Sequence, residues 1–534
     1  MADNSQEAGF PRSLSRRSFL QGTAAGGIAL GAAGSLGSLL AACSSSPTAS
    51  TGSSAYGGNL EFARIADPQT IDPSAAIDTE SIWTSLLMYE CLYTVTPNGH
   101  STMPWLATGH DVSTDQRTWT FHLRPGVKFS DGSPLAAQDV KFTIERSMKG
   151  PNAYILSAID GIDAPDAATV VVHTTHPWGP LLGDISMYSN AILPSNLRGE
   201  TSSQFFQHPI GTGPFTLKSW TKGQQMVLAK NPHYWQPHKP HLDTVTFTTV
   251  PDSNARVLQL RGGQADIIEA PPFSSVSTLQ ATSGIKVDLF PSTLITFIGL
   301  NEKKPQFADV HVRRAISYAI DRAAIIRDVL FGHGTPAASS FSPAWPFYNA
   351  ATPKLWYDPS TAKRELAMSS FPKGFATTYA VVAGDALNNS IAQIVQANLK
   401  AIGIDMAIQS FDPSTLDDLQ VKADYDMTPS EATLDIGDPD EDVPATVTLT
   451  YGGIDSAYTW YNNREVLQLT HQSELTVAPA DRAKIYAKIQ DIVAEQCPLV
   501  MLYYAPYAYA QQTKVNGFFV PPTGNYHLED VTLS

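Results

Sequence analysis

An α/β chain of more than one lobe is predicted by three features of the sequence. Its 534 residues are too many for one hydrophobic core to serve. Residues 118–148 read as strand, turn, strand, turn, helix. Residues 379–408 read as strand, helix, strand, a unit that implies an open and partly parallel sheet. An apolar content of 43% against 16% charged residues describes a globular chain rather than a disordered one. The formal net charge of −15 argues against nucleic acid as a partner. A negative surface that favours solubility is the simpler reading of that charge.

The first segment reads as an address and an anchor. Ser15-Arg16-Arg17-Ser18-Phe19-Leu20 has the form of a twin-arginine export signal. The Gly/Ala-rich run 22–42 carries little bulky hydrophobicity and ends in Leu40-Ala41-Ala42-Cys43, which reads as a lipobox. Residues 1–42 are therefore expected to be a signal peptide, and Cys43 the lipid-modified first residue of the mature protein. Two acyl chains on one cysteine give stable anchoring. A plain cleaved signal with an incidental Cys43 is the alternative. Residues 43–58 lack the apolar surface to fold and read as a flexible tether. The expected location is the cell envelope, on the outer face of the cytoplasmic membrane. No cofactor is assigned, although the twin-arginine route also carries cofactor-loaded proteins.

The body opens with a strand at 59–65, followed by the turn residues Asp67-Pro68 and Ile71-Asp72-Pro73. Ile82, Leu86 and Tyr89 have helical spacing within 81–93. Trp119, Phe121 and Leu123 alternate with Thr120, His122 and Arg124, the period of a half-buried strand. Pro125-Gly126 turns the chain, 127–129 starts a second short strand, and Asp131-Gly132 turns it again. Val140, Ile144 and Met148 recur every four residues on a helix, with Ala136 weakening its cap. Residues 163–172 give a further strand. Gly211-Thr212-Gly213-Pro214-Phe215 is a structural turn, because a β-type run and not a helix follows it.

Residues 301–330 read as one long amphipathic helix. Asp309 caps it, Val312, Ile316, Ala319, Ile320 and Ala323 form its buried stripe, and Gly332 and Gly334 stop it. After the strand at 379–384, Ile391, Ile394, Val395 and Leu399 form a helical stripe, and Ile404, Met406 and Ile408 alternate on the next strand. A helix at 482–495 and an apolar strand at 498–504 complete the pattern.

Chemistry-bearing constellations are few. His173 and His176, and His233, His238 and His241, lie close in sequence, but the first pair lacks a third ligand and the second group sits in a Pro-rich loop. No metal site is assigned. The sequence contains no Gly-x-Ser-x-Gly, no His-Glu-x-x-His and no zinc cysteine spacing, so no catalytic residue is assigned and an enzyme is not expected. An oxidising compartment permits a disulfide between Cys91 and Cys497; two small buried thiols are the favoured alternative.

Several of these segments carry a family resemblance. Thr120, Phe121, Leu123, Arg124, Gly126, Val127, Phe129, Asp131, Gly132, Pro134, Ala137, Asp139 and Val140 fill a pattern T-F-x-L-R-x-G-V-x-F-x-D-G-x-P-x-x-A-x-D-V. It resembles that of family 5 of the bacterial extracellular solute-binding proteins, the peptide- and nickel-type receptors of ABC importers. Tyr89-Glu90-Cys91-Leu92 resembles the family's Y-E-G-L, Pro104-Trp105-Leu106-Ala107 its P-x-L-A, and Asn231-Pro232-His233-Tyr234-Trp235 its N-P-x-Y-W. Residues 301–322 resemble its F-N…R-x-A-I-x-x-A-I-D-R segment.

The resemblance implies a two-lobed, periplasmic-binding-protein-like (type II, Venus-flytrap) fold with an extra subdomain. Lobe I would comprise 59–95, 195–298 and 495–534, the extra subdomain 96–194, and lobe II 299–494. It also implies a monomeric receptor that closes on a small solute, peptides being favoured, and delivers it to the transmembrane subunits of an ABC permease. An oligosaccharide or a metal chelate is the alternative ligand.

The ligand-contacting residues are likewise implied by resemblance. Asp435 stands where peptide-binding members pair with the ligand's α-ammonium group, and Glu431, Ala432 and Thr433 where their strand meets the peptide backbone. Ala432 replaces a common Trp and Glu431 a common Gly. The opposite wall would include Ile77, Asp78 and Thr79, and the strand at Thr296 and Phe297. An exposed acidic loop, or a cation site formed by Asp435, Asp438 and Asp440, is the alternative reading of that segment.

Overall fold

A computed structural model describes residues 57–448 and 459–534. The export signal, Cys43 and most of the tether lie outside the described residues. Within them, two mixed sheets each form the centre of a lobe. The first has the order Ile285–Phe290, Tyr507–Gln512, Ile267–Glu269, Asn59–Arg64, Thr244–Thr249, Gln225–Lys230 and Phe215–Thr221. The second runs Thr335–Pro336, Leu499–Tyr504, Ile295–Leu300, Met427–Ala432, Ala376–Val382 and Asp405–Phe411. A four-stranded antiparallel sheet, Ala107–Val112, Thr118–Leu123, Thr169–Thr174 and Ile159–Asp163, forms the additional unit with the helix Ala137–Ser147.

The chain crosses between the two large sheets twice, and the crossings lie side by side. Phe290 opposes Tyr507 in the first sheet, and Ile295 opposes Tyr504 in the second. Residues 291–294 and 505–506 are therefore a two-stranded hinge. The strands Ile295–Leu300 and Leu499–Tyr504 belong to the second sheet, so the lobe boundaries expected at 298/299 and 494/495 move to these crossings. The resemblance located the lobes by motif, whereas the hydrogen-bond ladder assigns each strand to its sheet.

Local sequence explains most elements. In Thr118–Leu123 the residues Trp119, Phe121 and Leu123 are buried, and the alternating Thr118, Thr120 and His122 are not. The helix Ala386–Lys400 connects the parallel strands Ala376–Val382 and Asp405–Phe411, and Asp385 caps it by accepting the Asn388 N–H at 3.0 Å.

Three expectations change. Residues 127–129 form only an isolated bridge, Lys128 to Pro134, flanked by Phe129 N–H to the Ser133 carbonyl and Leu135 N–H to the Val127 carbonyl. The ladder stops there because the Asp131-Gly132 turn takes the next groups, Gly132 N–H bonding the Phe129 carbonyl and Ser133 N–H the Asp131 carboxylate. Ala136 does not leave its helix open, because the Asp139 carboxylate reaches back to the Ala136 N–H at 2.9 Å. The long helix expected over 301–330 is three: Pro305–Ala308, Val310–Ala319 and Arg322–Asp328. Asp309 caps the second as expected, and Asp321 starts the third by accepting the Ala324 N–H at 2.9 Å. Cys91 and Cys497 are both buried free thiols.

Candidate ligand-binding cleft

Four separate motifs meet at one turn in the first lobe. The helix Thr79–Met88 ends where Gly213 N–H donates to the Met88 carbonyl at 2.9 Å. A Cβ on Gly211 would lie 2.1 Å from that same carbonyl oxygen, so only glycine fits. Two residues on, the buried Glu90 carboxylate collects donors from distant segments. Its Oε1 accepts Trp105 Nε1 at 2.8 Å, Tyr234 Oη at 3.1 Å and Trp235 Nε1 at 3.1 Å. Burial pushes the Glu90 carboxyl up to about 7, although these indoles, Thr212 and Tyr234 pull it down.

The acidic segment after Met427–Ala432 is held from both sides. Thr293, in the hinge, pairs its hydroxyl with that of Thr433 at 2.7 Å and accepts the Leu434 N–H at 3.1 Å. Glu441 Oε2 accepts the N–H groups of Asp435 at 2.7 Å and Ile436 at 3.2 Å. Asp438 is buried in a two-oxygen ion pair with Arg482, and its Oδ1 accepts the Asp440 N–H at 3.0 Å. Asp438, Asp440 and Glu441 are buried, while Asp435 is half-buried.

Asp435 and residues of the first lobe line one shared cavity, partly open to solvent. The opposing wall includes Trp83, Glu90, Tyr188, Tyr234, Tyr526 and Glu529. Trp83 and Tyr526 meet edge to face at 5.5 Å. His527 Nδ1 lies 2.9 Å from Glu529 Oε1. Burial alone would lower the His527 imidazole; the Glu529 carboxylate outweighs it and raises it. No Lys or Arg lines the cavity. With Asp435 and Glu529 on its lining the wall matches a cationic, partly apolar group; His527, already paired with Glu529, is the lining group that can carry positive charge.

Of the nine ligand-contacting residues expected from the sequence, Asp435 lies on this lining and the other eight do not. Asp78 is buried as the cap of Thr79–Met88, accepting the Ser81 N–H at 3.0 Å and its hydroxyl at 2.6 Å. Ile77 and Thr79 flank it, half-buried. Ala432 and Phe297 turn into the second lobe's apolar core beside Ile295 and Trp345. Thr296 opposes Glu431 on the other face of the sheet. Burial, with help from Glu431, pushes the neighbouring Tyr503 hydroxyl up to about 12. Thr433 is engaged by Thr293. The aromatic wall from Trp83, Tyr188 and Tyr526 was missed. Its one signal was the Tyr526-His527-Leu528-Glu529 run, an aromatic beside two titratable groups in the last residues of the chain.

Similarity to known proteins points the same way. The profile described as bacterial extracellular solute-binding proteins, family 5, middle part, matches residues 101–452. The chain is 30% identical over 476 residues to the probable D,D-dipeptide-binding periplasmic protein DdpA of Escherichia coli K12, covering 87% of this chain and 92% of that one. Its fold is similar to that of the Helicobacter pylori periplasmic binding protein DppA in complex with the peptide STSA, with a TM-score of 0.77 and 27% identity over 90% of this chain and 98% of that one. It is also similar to AgaA of A. tumefaciens R10 in complex with agropinic acid, with a TM-score of 0.75 and 26% identity over 89% and 99% of the two chains. These proteins bind solutes and are not enzymes. The two hinged lobes, the motifs meeting at Glu90 and the profile match over most of the body agree: the chain belongs to family 5 of the bacterial extracellular solute-binding proteins, the substrate-binding components of ABC transporters.

Proposed function

We propose that the protein captures short peptides, or another small amine-bearing solute, between its lobes and delivers them to an ABC permease. The observation that carries this reading is Asp435, a carboxylate on the second lobe facing a cavity lined by aromatic rings and free of Lys and Arg. An ammonium group there gains a charge-assisted bond to the carboxylate. The peptide named with DppA and the dipeptide named for DdpA support the same ligand class. Export, a lipid anchor at Cys43 and action as a monomer complete the reading. No helix among the described residues is long and apolar enough to cross a membrane.

Native mass spectrometry on gently purified protein tests the ligand class. Bound masses that fit peptides or small amines, and that are lost in Asp435→Asn, support it. Adducts spaced by sugar units would make the ring wall of Trp83 and Tyr526 the recognition element and overturn the amine assignment.

A further inference from the structure

Beside the cleft, the lobes meet a second time at an interface rich in acid. Residues 176–184 of the additional unit pack on the second lobe at 436–440 and 471–486. The approach is close. Gly179 N–H donates to the Glu474 carbonyl at 2.7 Å. A Cβ on Gly179 would lie 2.2 Å from the Thr476 carbonyl oxygen, and one on Gly183 would lie 2.6 Å from Asp438 Cβ. The loop at Ser101 adds only its carbonyl, against Gly437.

Four carboxylates are buried in this contact: Asp184 from the first side and Asp438, Asp440 and Glu474 from the second. The permanent cation among them is Arg482, which is committed to Asp438, to the Ser473 carbonyl at 3.1 Å and to Tyr486 Oη at 3.1 Å. Asp184 Oδ2 accepts Trp178 Nε1 at 2.6 Å, and Glu474 Oε2 lies 3.0 Å from His471 Nδ1. Asp184 Oδ1, Asp440 Oδ1 and Glu474 Oε1 have no hydrogen-bond partner. His176, its ring tilted against that of Trp178 with centroids 5.4 Å apart, is the other titratable group facing Glu474.

One guanidinium cannot compensate four ionised carboxylates held away from water. Two ways out exist. The cluster holds protons while the faces are in contact, or the faces separate and the carboxylates are hydrated. We propose that Asp184, Asp440 and Glu474, grouped around the Asp438–Arg482 pair, form a proton-dependent latch, so that closing the lobes takes up protons and the closed form is favoured as the medium acidifies.

The direction is consistent at each group. Burial, then Asp438 and Glu474, raises Asp184 well above its ordinary range against the pull of Trp178 and Arg482. Burial, then Asp184, Asp438 and Glu474, does the same to Asp440. Burial also raises Glu474, against His471, His176 and Arg482. In the separated, hydrated state these groups return to their usual values near about 4. The closed form's advantage is therefore complete below about pH 4 and lost as pH rises through the raised values. The benefit to ligand retention rests on the cleft reading, because Asp435 lies in the same segment as Asp438; the latch itself is read without ligand.

Small-angle X-ray scattering of the ligand-free full chain between about pH 5 and about pH 8.5 tests it. The wild type should gain radius of gyration as pH rises. Asp184→Asn/Asp440→Asn, whose amides mimic the protonated acids, should stay compact throughout. Should the double variant not fold, by circular dichroism, each single variant should show a smaller rise than the wild type. A wild-type radius that does not change with pH overturns the proposal without any variant, as does a rise that persists undiminished in the folded variants.

Discussion

Glu90 shows how one residue can gather motifs that look unrelated in sequence. Y-E-x-L, P-x-L-A and N-P-x-Y-W each read as a separate signature, and their side chains converge on a single buried carboxylate. Its raised value has a consequence for stability. A carboxyl at about 7 in the fold and near its ordinary value in the unfolded chain favours the fold below about pH 4.5, and that contribution is lost as pH rises to about 7. The change is worth up to about 3 kcal/mol. Thermal unfolding across this window should therefore show a smaller loss with rising pH in Glu90→Gln than in the wild type; parallel curves would remove the assignment. The motifs themselves were legible, but their meeting point was not. Periodicity and spacing report the local element, and Trp105 and Trp235 reach Glu90 only through tertiary contacts. Asp435 was singled out by resemblance, whereas Trp83 lies in a segment that reads as an ordinary amphipathic helix and Tyr526 in a stretch that carries no motif.

At the scale of elements, cap residues decide boundaries that apolar periodicity leaves open. The apolar spacing of Val312, Ile316 and Ala319 runs on to Ala323 in the sequence, yet Ala323 is exposed and Ile325 and Ile326 are buried in its place, because the backbone breaks at Ile320-Asp321, where the Asp321 carboxylate bonds the Ala324 N–H. Asp321→Ala should lower stability by about 1 kcal/mol, read as a fall in the thermal midpoint. The turn at Gly211 is held more tightly. With its Cβ position 2.1 Å from the Met88 carbonyl oxygen, Gly211→Ala has to push the end of the helix Thr79–Met88 away. A loss of about 3 kcal/mol is expected, and a midpoint equal to that of the wild type would contradict the packing. The strand Thr118–Leu123 and the parallel unit around Ala386–Lys400 were both readable, because alternation and helical spacing there coincide with burial. The false strand at 127–129 had apolar ends, but the tight turn at Asp131-Gly132 takes the Phe129 carbonyl and leaves room for a single bridge.

For the whole molecule, the arrangement of the chain crossings gives a solute held between the lobes a way to control shape. Among the described residues the chain passes between the two large sheets at 291–294 and 505–506, side by side, so a swing of the lobes turns on these crossings and parts Ile436 from the core it joins on the first side. A solute favours closure to the extent that it touches both lobes in the closed form and only one in the open form. In the proposed reading Asp435 supplies that contact from the second lobe and Trp83 and Tyr526 supply it from the first, all three lining the same cavity. Thr293 lies in the hinge itself and bonds Thr433 and Leu434, so movement of the crossing strands is coupled directly to the segment bearing Asp435. The lobes were legible as lobes; their boundaries were not, because strand membership depends on pairing between residues as far apart as Ile295 and Tyr504.

The most direct test of the amine-binding claim compares a peptide recovered from the protein with its N-acetylated form. Isothermal titration with wild type and Asp435→Asn yields four affinities. Removing a charge-assisted bond of about 2 kcal/mol should weaken the free-amine peptide roughly thirtyfold. The acetylated peptide, having no ammonium group to lose, should bind both proteins alike. Equal losses for the two peptides, or none for either, would contradict Asp435 as the ammonium partner.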